Sequence, residues 1–325
     1  MMETWRWYGE FDPITLAEVA QTGATGIVSA LHAIPYGEVW PREAIADRKR
    51  AIEKAGFVWS VVESLPVHER IKKGEGDLSC FFANYRQSMA HLAEEGVRAI
   101  CYNFMPLLDW TRTDLAASVV GGATCLRFEA MHMAAFEIHM LGRQAAEYDY
   151  SDDVRVRAAA WYQQASEAER DILLKSIMAG MPGAFDRYDI PGLRKALAAY
   201  DGIDRDELRA NYARFLSEVV PAAEDLGLRL CVHPDDPPRE ILGLPRIVST
   251  GDDLEWILAT QDSPANGVTF CSGSLGAHPG NDVPAIAARV ADCIHFAHLR
   301  NVRKEADGSF EEAAHLDGDT DMVLL

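Results

Sequence analysis

Short runs of β-branched, aromatic and other apolar residues recur along the chain, separated by stretches whose apolar positions fall three or four apart. The first pattern predicts strands and the second helices, because side chains alternate across a strand but return to one helix face every 3.6 residues. Seven strands are expected, at residues 4–8, 26–30, 57–63, 97–103, 228–233, 267–272 and 293–299. Helices are expected at 13–20, behind the cap residue Asp12, at 41–55, stopped by Gly56, at 80–95, and at 208–226, stopped by Gly227. Strands that alternate with helices in this way make βα units and a parallel sheet.

The rhythm breaks after Asn103, since about 120 residues pass before the next strand near Leu228. Rich in Ala, Met, Glu and Arg, this segment shows helical spacing at 125–148 and 161–178. The expectation is a helical insertion over about 104–200, at the C-terminal end of the fourth strand, the face where parallel barrels carry their chemistry. Pro and Gly between 181 and 192 read as a loop between helices, with Pro191 starting the next one. Met131, His132, Met133, His139 and Met140 fall inside this segment and read as helical core packing rather than as a soft-metal site.

With 325 residues and 48% hydrophobic content, the chain can bury one large core. Fifty acidic against 31 basic residues give a net charge of −19 at pH 7. A surface of that sign argues against nucleic acid and anionic membranes as partners, since both need a basic face. An anionic small molecule stays compatible, provided a bound divalent metal or a placed arginine supplies local attraction. The N-terminus has no basic region followed by an apolar run, and no stretch approaches about 20 apolar residues, so a cytoplasmic protein is expected. Six cysteines, at 80, 101, 125, 231, 271 and 293, form no CxxC pair and are expected to be reduced, most of them as small buried residues.

Three strand ends carry the candidate chemistry. In Leu230-Cys231-Val232-His233-Pro234-Asp235-Asp236, period-two alternation puts Cys231 and His233 on one face, with His233 nearer the strand end and the better ligand. In Thr269-Phe270-Cys271-Ser272-Gly273-Ser274, Cys271 is either core or a thiolate ligand, and its place before a Ser/Gly turn favours the second. In His295-Phe296-Ala297-His298-Leu299-Arg300-Asn301, the two histidines face opposite ways, and His298 is the candidate ligand. Arg300 shares the face of His298 and is read either as a carboxylate partner or as a salt bridge. Asp109, Trp110 and Arg112 open the insertion and suit a polyhydroxylated ligand, although a capped helix start explains the same residues. Glu63, Asn301 and His315 are further candidates for substrate-facing or supporting roles.

Taken in order, Phe104-Met105-Pro106 with Asp109-Trp110-Thr111-Arg112-Thr113, the Cys-Val-His-Pro-Asp-Asp-Pro-Pro run, the Phe-Cys-Ser-Gly-Ser-Leu run and His-Phe-Ala-His-Leu-Arg-Asn resemble the mannonate dehydratase family. The resemblance spans the whole chain. It implies a single α/β domain over residues 1–325, a (β/α)8 TIM-type barrel of the xylose-isomerase kind with a helical insertion after strand 4. By motif, His233, Cys271 and His298 match the family's ligands to a divalent metal, Mn2+ or Fe2+. The implied reaction converts a sugar acid, D-mannonate, to 2-keto-3-deoxy-D-gluconate and water, and a homo-oligomer is expected. The family pattern continues into Arg-Pro-Asp-His-Gly on an eighth strand, with a further ligand and a proposed acid/base. This sequence ends at Leu325, so the expectation is a barrel without its eighth strand and weak or absent activity. A metal-dependent sugar isomerase or epimerase, and a non-catalytic metal- or sugar-acid-binding fragment, are the alternative readings.

Overall fold

Side-chain alternation along seven parallel strands sets the architecture. The computed structural model describes residues 1–180 and 188–325. In chain order the strands are β1 (Thr4–Arg6), β2 (Gly26–Ser29), β3 (Val58–Glu63), β4 (Ala99–Tyr102), β5 (Asp114–Ser118), β6 (Thr124–Phe128), β7 (Arg229–Val232), β8 (Asn266–Cys271), β9 (Ile294–His298), β10 (Asn301–Lys304) and β11 (Phe310–Ala313). All seven expected strands are present and form one sheet, in the order β1-β2-β3-β4-β7-β8-β9. The sheet curls into a TIM-type barrel with β1 and β9 at its two ends, which are not paired with each other among the described residues.

Inward positions stack in layers. Val28, Val61, Cys101 and Cys231, with Phe296 against them, form an apolar plug from strands that are not all neighbours. Such a contact requires the sheet to close on itself. One alternation further along lie Glu63, Asn103, His233, Cys271 and His298, so the polar residues stand on the apolar plug at the C-terminal ends of the strands. The outward positions Val62, Tyr102, Val232 and Phe270 enter the larger core beneath the helices. There Tyr102 shares a hydroxyl hydrogen bond of 2.7 Å with Tyr212, from the helix Arg205–Asp225.

The insertion differs from its expected helical character. Residues 124–128, the start of the segment with helical spacing, are strand β6, which pairs antiparallel with β5. The turn between them runs through Gly121 and Gly122, both at positive φ (95° and 84°), a conformation that glycine adopts without strain. A second hairpin turns at Asp307-Gly308 and contributes β10 and β11, completing a four-stranded sheet in the order β10-β11-β6-β5. Stacked Phe128 and Phe310 rings, 5.5 Å apart, sit where the two hairpins join. Helices do fill the rest, at Asp152–Gln164, Glu167–Ile177 and Ile190–Ala198. Pro191 lies in the first turn of the last, which Asp189 caps by accepting from the Gly192 N–H at 2.7 Å. Residues 181–187 of the expected loop lie outside the described residues.

Arg112 ties the insertion to the barrel. The stretch from 109 to 113 is no helix start: Thr111 N–H donates to the Asp236 carbonyl at 3.1 Å, and the chain then enters β5. The Arg112 guanidinium forks onto Asp236, Nη1 to Oδ1 at 2.7 Å and Nη2 to Oδ2 at 3.1 Å, with both side chains essentially unexposed. Removing one member of such a pair leaves a buried charge uncompensated. Arg112→Ala is therefore expected to destabilise the fold by about 3–5 kcal/mol, read as a lowered midpoint in denaturant unfolding.

Candidate metal centre and active site

His233 follows β7, Cys271 ends β8 and His298 ends β9. Cys271 and His298 stand opposite each other in the β8–β9 register. Adjacent strands lie about 4.8 Å apart, so inward side chains at one height converge. Each of the three offers a donor atom, and these atoms all lie within 4.8 Å of one another. The ring orientations are fixed from outside. His233 Nδ1 donates to the Pro234 carbonyl at 2.7 Å, which turns Nε2 inward, 3.2 Å from His298 Nδ1. His298 Nε2 meets Glu63 Oε2 at 3.2 Å, which leaves Nδ1 facing the centre.

Charge at the cluster is strongly organised. Burial opposes a thiolate at Cys271, yet Arg300 and hydrogen bonds with His233 and His298 outweigh it and hold the thiol well below its ordinary range. Ser274 adds its hydroxyl, 3.1 Å from the sulfur, and its N–H, at 3.4 Å. Burial likewise opposes an imidazolium at His298, but Glu63 and the Cys271 sulfur push its pKa up to about 10. Glu63, which burial would raise, is held well below the usual carboxylate range by Arg6 and His298. The cluster is thus built to surround positive charge.

Arg300 sits behind the sulfur. A Cβ on Gly273 would meet the Arg300 side chain at 2.5 Å, so this glycine serves close approach rather than a left-handed turn. One terminal nitrogen of Arg300 pairs with Asp236 and donates to Ser274 Oγ at 3.0 Å, while the other pairs with Glu312 on β11. Both ends are therefore committed to protein carboxylates, although the side chain reaches the wall of the cavity.

That cavity, of about 480 Å3, opens over the cluster. Of the residues singled out from sequence, His233, His298, Glu63, Asp109, Trp110 and Arg300 line it. Cys271 is fully buried beside His233 and His298 and does not line the cavity. Burial raises the Asp109 carboxyl, against the pull of Lys72, whose ammonium lies 3.7 Å away. Three candidates stand elsewhere. Arg112 lies buried beneath Asp236, its guanidinium 4.9 Å from the Trp110 ring. Asn301 is buried at the start of β10, donating to the carbonyls of His315 and Thr320 at 2.9 and 2.8 Å. His315 is exposed and bonds the Leu299 carbonyl at 2.7 Å. Arg6, Tyr8, Asn103, Asp236 and Glu312 also line the cavity and were not singled out. For Arg6 and Asn103 the signal was present: each is an inward position at the C-terminal end of a strand or one step beyond it.

Comparison with known proteins fits this geometry. A family model described as D-mannonate dehydratase matches residues 1–325. The chain is 54% identical over 324 residues to mannonate dehydratase of Chromohalobacter salexigens, covering 99% of this chain and 83% of that one. It is 51% identical over 324 residues to the mannonate dehydratase of Marinomonas sp., again 99% of this chain and 83% of the relative. Among solved structures, that of mannonate dehydratase from Streptococcus suis serotype 2 superposes with a TM-score of 0.77 at 33% identity, covering 100% of this chain and 80% of the other. With a family model matching from end to end and relatives above half identity, the chain belongs to the D-mannonate dehydratase family.

Proposed function

We propose that this chain removes water from an aldonate, converting D-mannonate to 2-keto-3-deoxy-D-gluconate, at a divalent cation held by His233 Nε2, Cys271 Sγ and His298 Nδ1. The observation that carries the reading is the convergence of three donors on one point of the cavity, in a chain of this family. Two of those donors have their outer nitrogens already engaged, and the third is a sulfur surrounded by groups that favour its anion. Such a mixed imidazole and thiolate set fits a borderline divalent ion better than Mg2+ or Ca2+. Mn2+ or Fe2+ is the assignment.

Held by His233, Cys271 and His298, such an ion would supply positive charge beside an aldonate and so make its C2 proton easier to remove. The C2–H and C3–OH bonds then break, and the enol formed tautomerises to the 2-keto acid. The chain's own residues prepare this. Glu63 holds the Nε2–H of His298, and the Pro234 carbonyl holds the Nδ1–H of His233, so neither ring turns its lone pair away. Arg300 is assigned to keeping Cys271 ionised rather than to the substrate, because its terminal nitrogens are occupied by Asp236 and Glu312. Trp110 offers a flat apolar face to the carbon chain. Asp109, on the cavity wall, is placed to accept hydrogen bonds from hydroxyls. Leu115 on β5 and Leu126 on β6 overhang the cavity and limit the access of water to the reacting carbons. Among the described residues no helix is long and apolar enough to cross a membrane. All six cysteines are unpaired, which supports a reducing, cytoplasmic setting.

Incubation of the Mn2+- or Fe2+-supplemented protein with D-mannonate is expected to yield a 2-keto-3-deoxy acid, identified by NMR and by the loss of 18 mass units. An isomerised acid of unchanged mass would overturn the reading. Chelation should abolish turnover and metal return restore it, while Cys271→Ser and His233→Ala should each lower the metal bound per chain. Wild-type stoichiometry in both variants would remove these residues from the ligand set. For Asp109→Ala, losing one or two hydrogen bonds of about 1 kcal/mol each should raise KM roughly tenfold and change kcat less; an unchanged KM would take Asp109 off the substrate.

A further inference from the structure

The barrel's first strand carries an arginine that the reaction scheme above leaves unused. Arg6 ends β1, an edge strand that among the described residues pairs only with β2, and it faces inward across the mouth of the barrel to Glu63 at the end of β3. Its Nη1 lies 3.1 Å from Glu63 Oε1, and its Nη2 donates to the Glu63 backbone carbonyl at 3.0 Å. One guanidinium therefore grips both the side chain and the main chain of a single residue. The other carboxylate oxygen, Oε2, is the one that meets His298 Nε2 at 3.2 Å. Glu63 itself is only 2% exposed, so water has little access to either oxygen. Behind it, the Arg6 guanidinium rests 5.0 Å from the centre of the Tyr8 ring.

We propose that Arg6 is a positioning residue of the metal centre, fixing the Glu63 carboxylate so that Glu63 in turn fixes His298. The proposal rests on the metal reading given above. Its physical basis is rotational. The terminal torsion of a glutamate has a broad, shallow profile, so a carboxylate held at one oxygen alone can swing. Pinned at Oε1 by Arg6, it presents Oε2 in one place, and the His298 ring is held with Nδ1 toward the centre. The chain of contacts from β1 through β3 to β9 also links the two sheet ends, which among the described residues share no backbone pairing. Lysine would keep the charge but lose the fork that reaches side chain and carbonyl together.

The test is Mn2+ binding to metal-stripped protein, followed by titration calorimetry with no substrate present. Arg6→Met is expected to weaken Mn2+ binding by roughly 10–100-fold, as loss of a partner behind a metal-ligating histidine does. Glu63→Gln should do the same. The double variant should bind no more weakly than the weaker single variant, because the two residues act in series. Arg6→Lys should fall between Arg6→Met and wild type, and it replaces Arg6→Met in the cycle if thermal melting shows that the methionine variant does not fold. Losses that add in the double variant would overturn the proposal. So would wild-type Mn2+ affinity in the Arg6 variants with a raised KM, which would make Arg6 a substrate contact. Cys271→Ser in the same titration separates the two readings. If it binds Mn2+ like wild type, the metal centre itself is wrong; if it loses Mn2+ while Arg6→Met does not, only the role of Arg6 is.

Discussion

Asp236 is the carboxylate on which the site's geometry hangs. It is about 1% exposed, and two guanidiniums and a serine hydroxyl converge on it: Arg112 from the insertion, Arg300 from beyond β9 and Ser274 from beyond β8. A lone buried carboxylate would cost several kcal/mol. Here burial is overcome by Arg112 and Arg300, which hold the group well below the usual carboxylate range. The arrangement passes charge along a line. Asp236 orients Arg300, Arg300 stabilises the Cys271 sulfur, and the sulfur shares the centre with two imidazoles. Because each member satisfies the next, the network is rigid only when complete.

The same logic explains an apparent mismatch between the chain and its ligand. In a protein of net charge −19, three arginines are nevertheless gathered in and behind the walls of one cavity. Those groups are not free surface charges. Arg6, Arg112 and Arg300 are each anchored to a carboxylate of the protein, so they shape the site rather than acting as loose attractors.

Sequence made the barrel strands readable because the runs around Val61, Cys101, Cys231 and Phe270 are buried on both faces, and such runs stay apolar whatever their neighbours do. Strand-end histidines were readable for a related reason: period-two counting from an apolar core position lands on His233 and on His298. The second sheet was not read. Its strands are short, half exposed and mixed in polarity, and Leu115, Cys125 and Leu126 gave no alternation to distinguish them from helix. Turn chemistry at Gly121-Gly122 and Asp307-Gly308 was the usable signal. Roles for Arg300, Asn301 and His315 were hidden because they depend on which carboxylate or carbonyl lies opposite, and that is decided by packing between segments far apart in the chain.

The strand order has a consequence for synthesis. Apart from the local contacts of His233 with Pro234 and of Cys271 with Ser274, the contacts that organise the centre join distant positions: Arg6 to Glu63, Glu63 to His298, Arg112 to Asp236 and Arg300 to Cys271. Such contacts give nothing back until long loops have closed. Cys271 leaves the ribosome before His298 and Arg300 do, and until they arrive its sulfur lacks two of the groups that favour its anion, with His233 alone of the three already made. The three donors therefore come together only at the end, once β9 has joined the sheet beside β8.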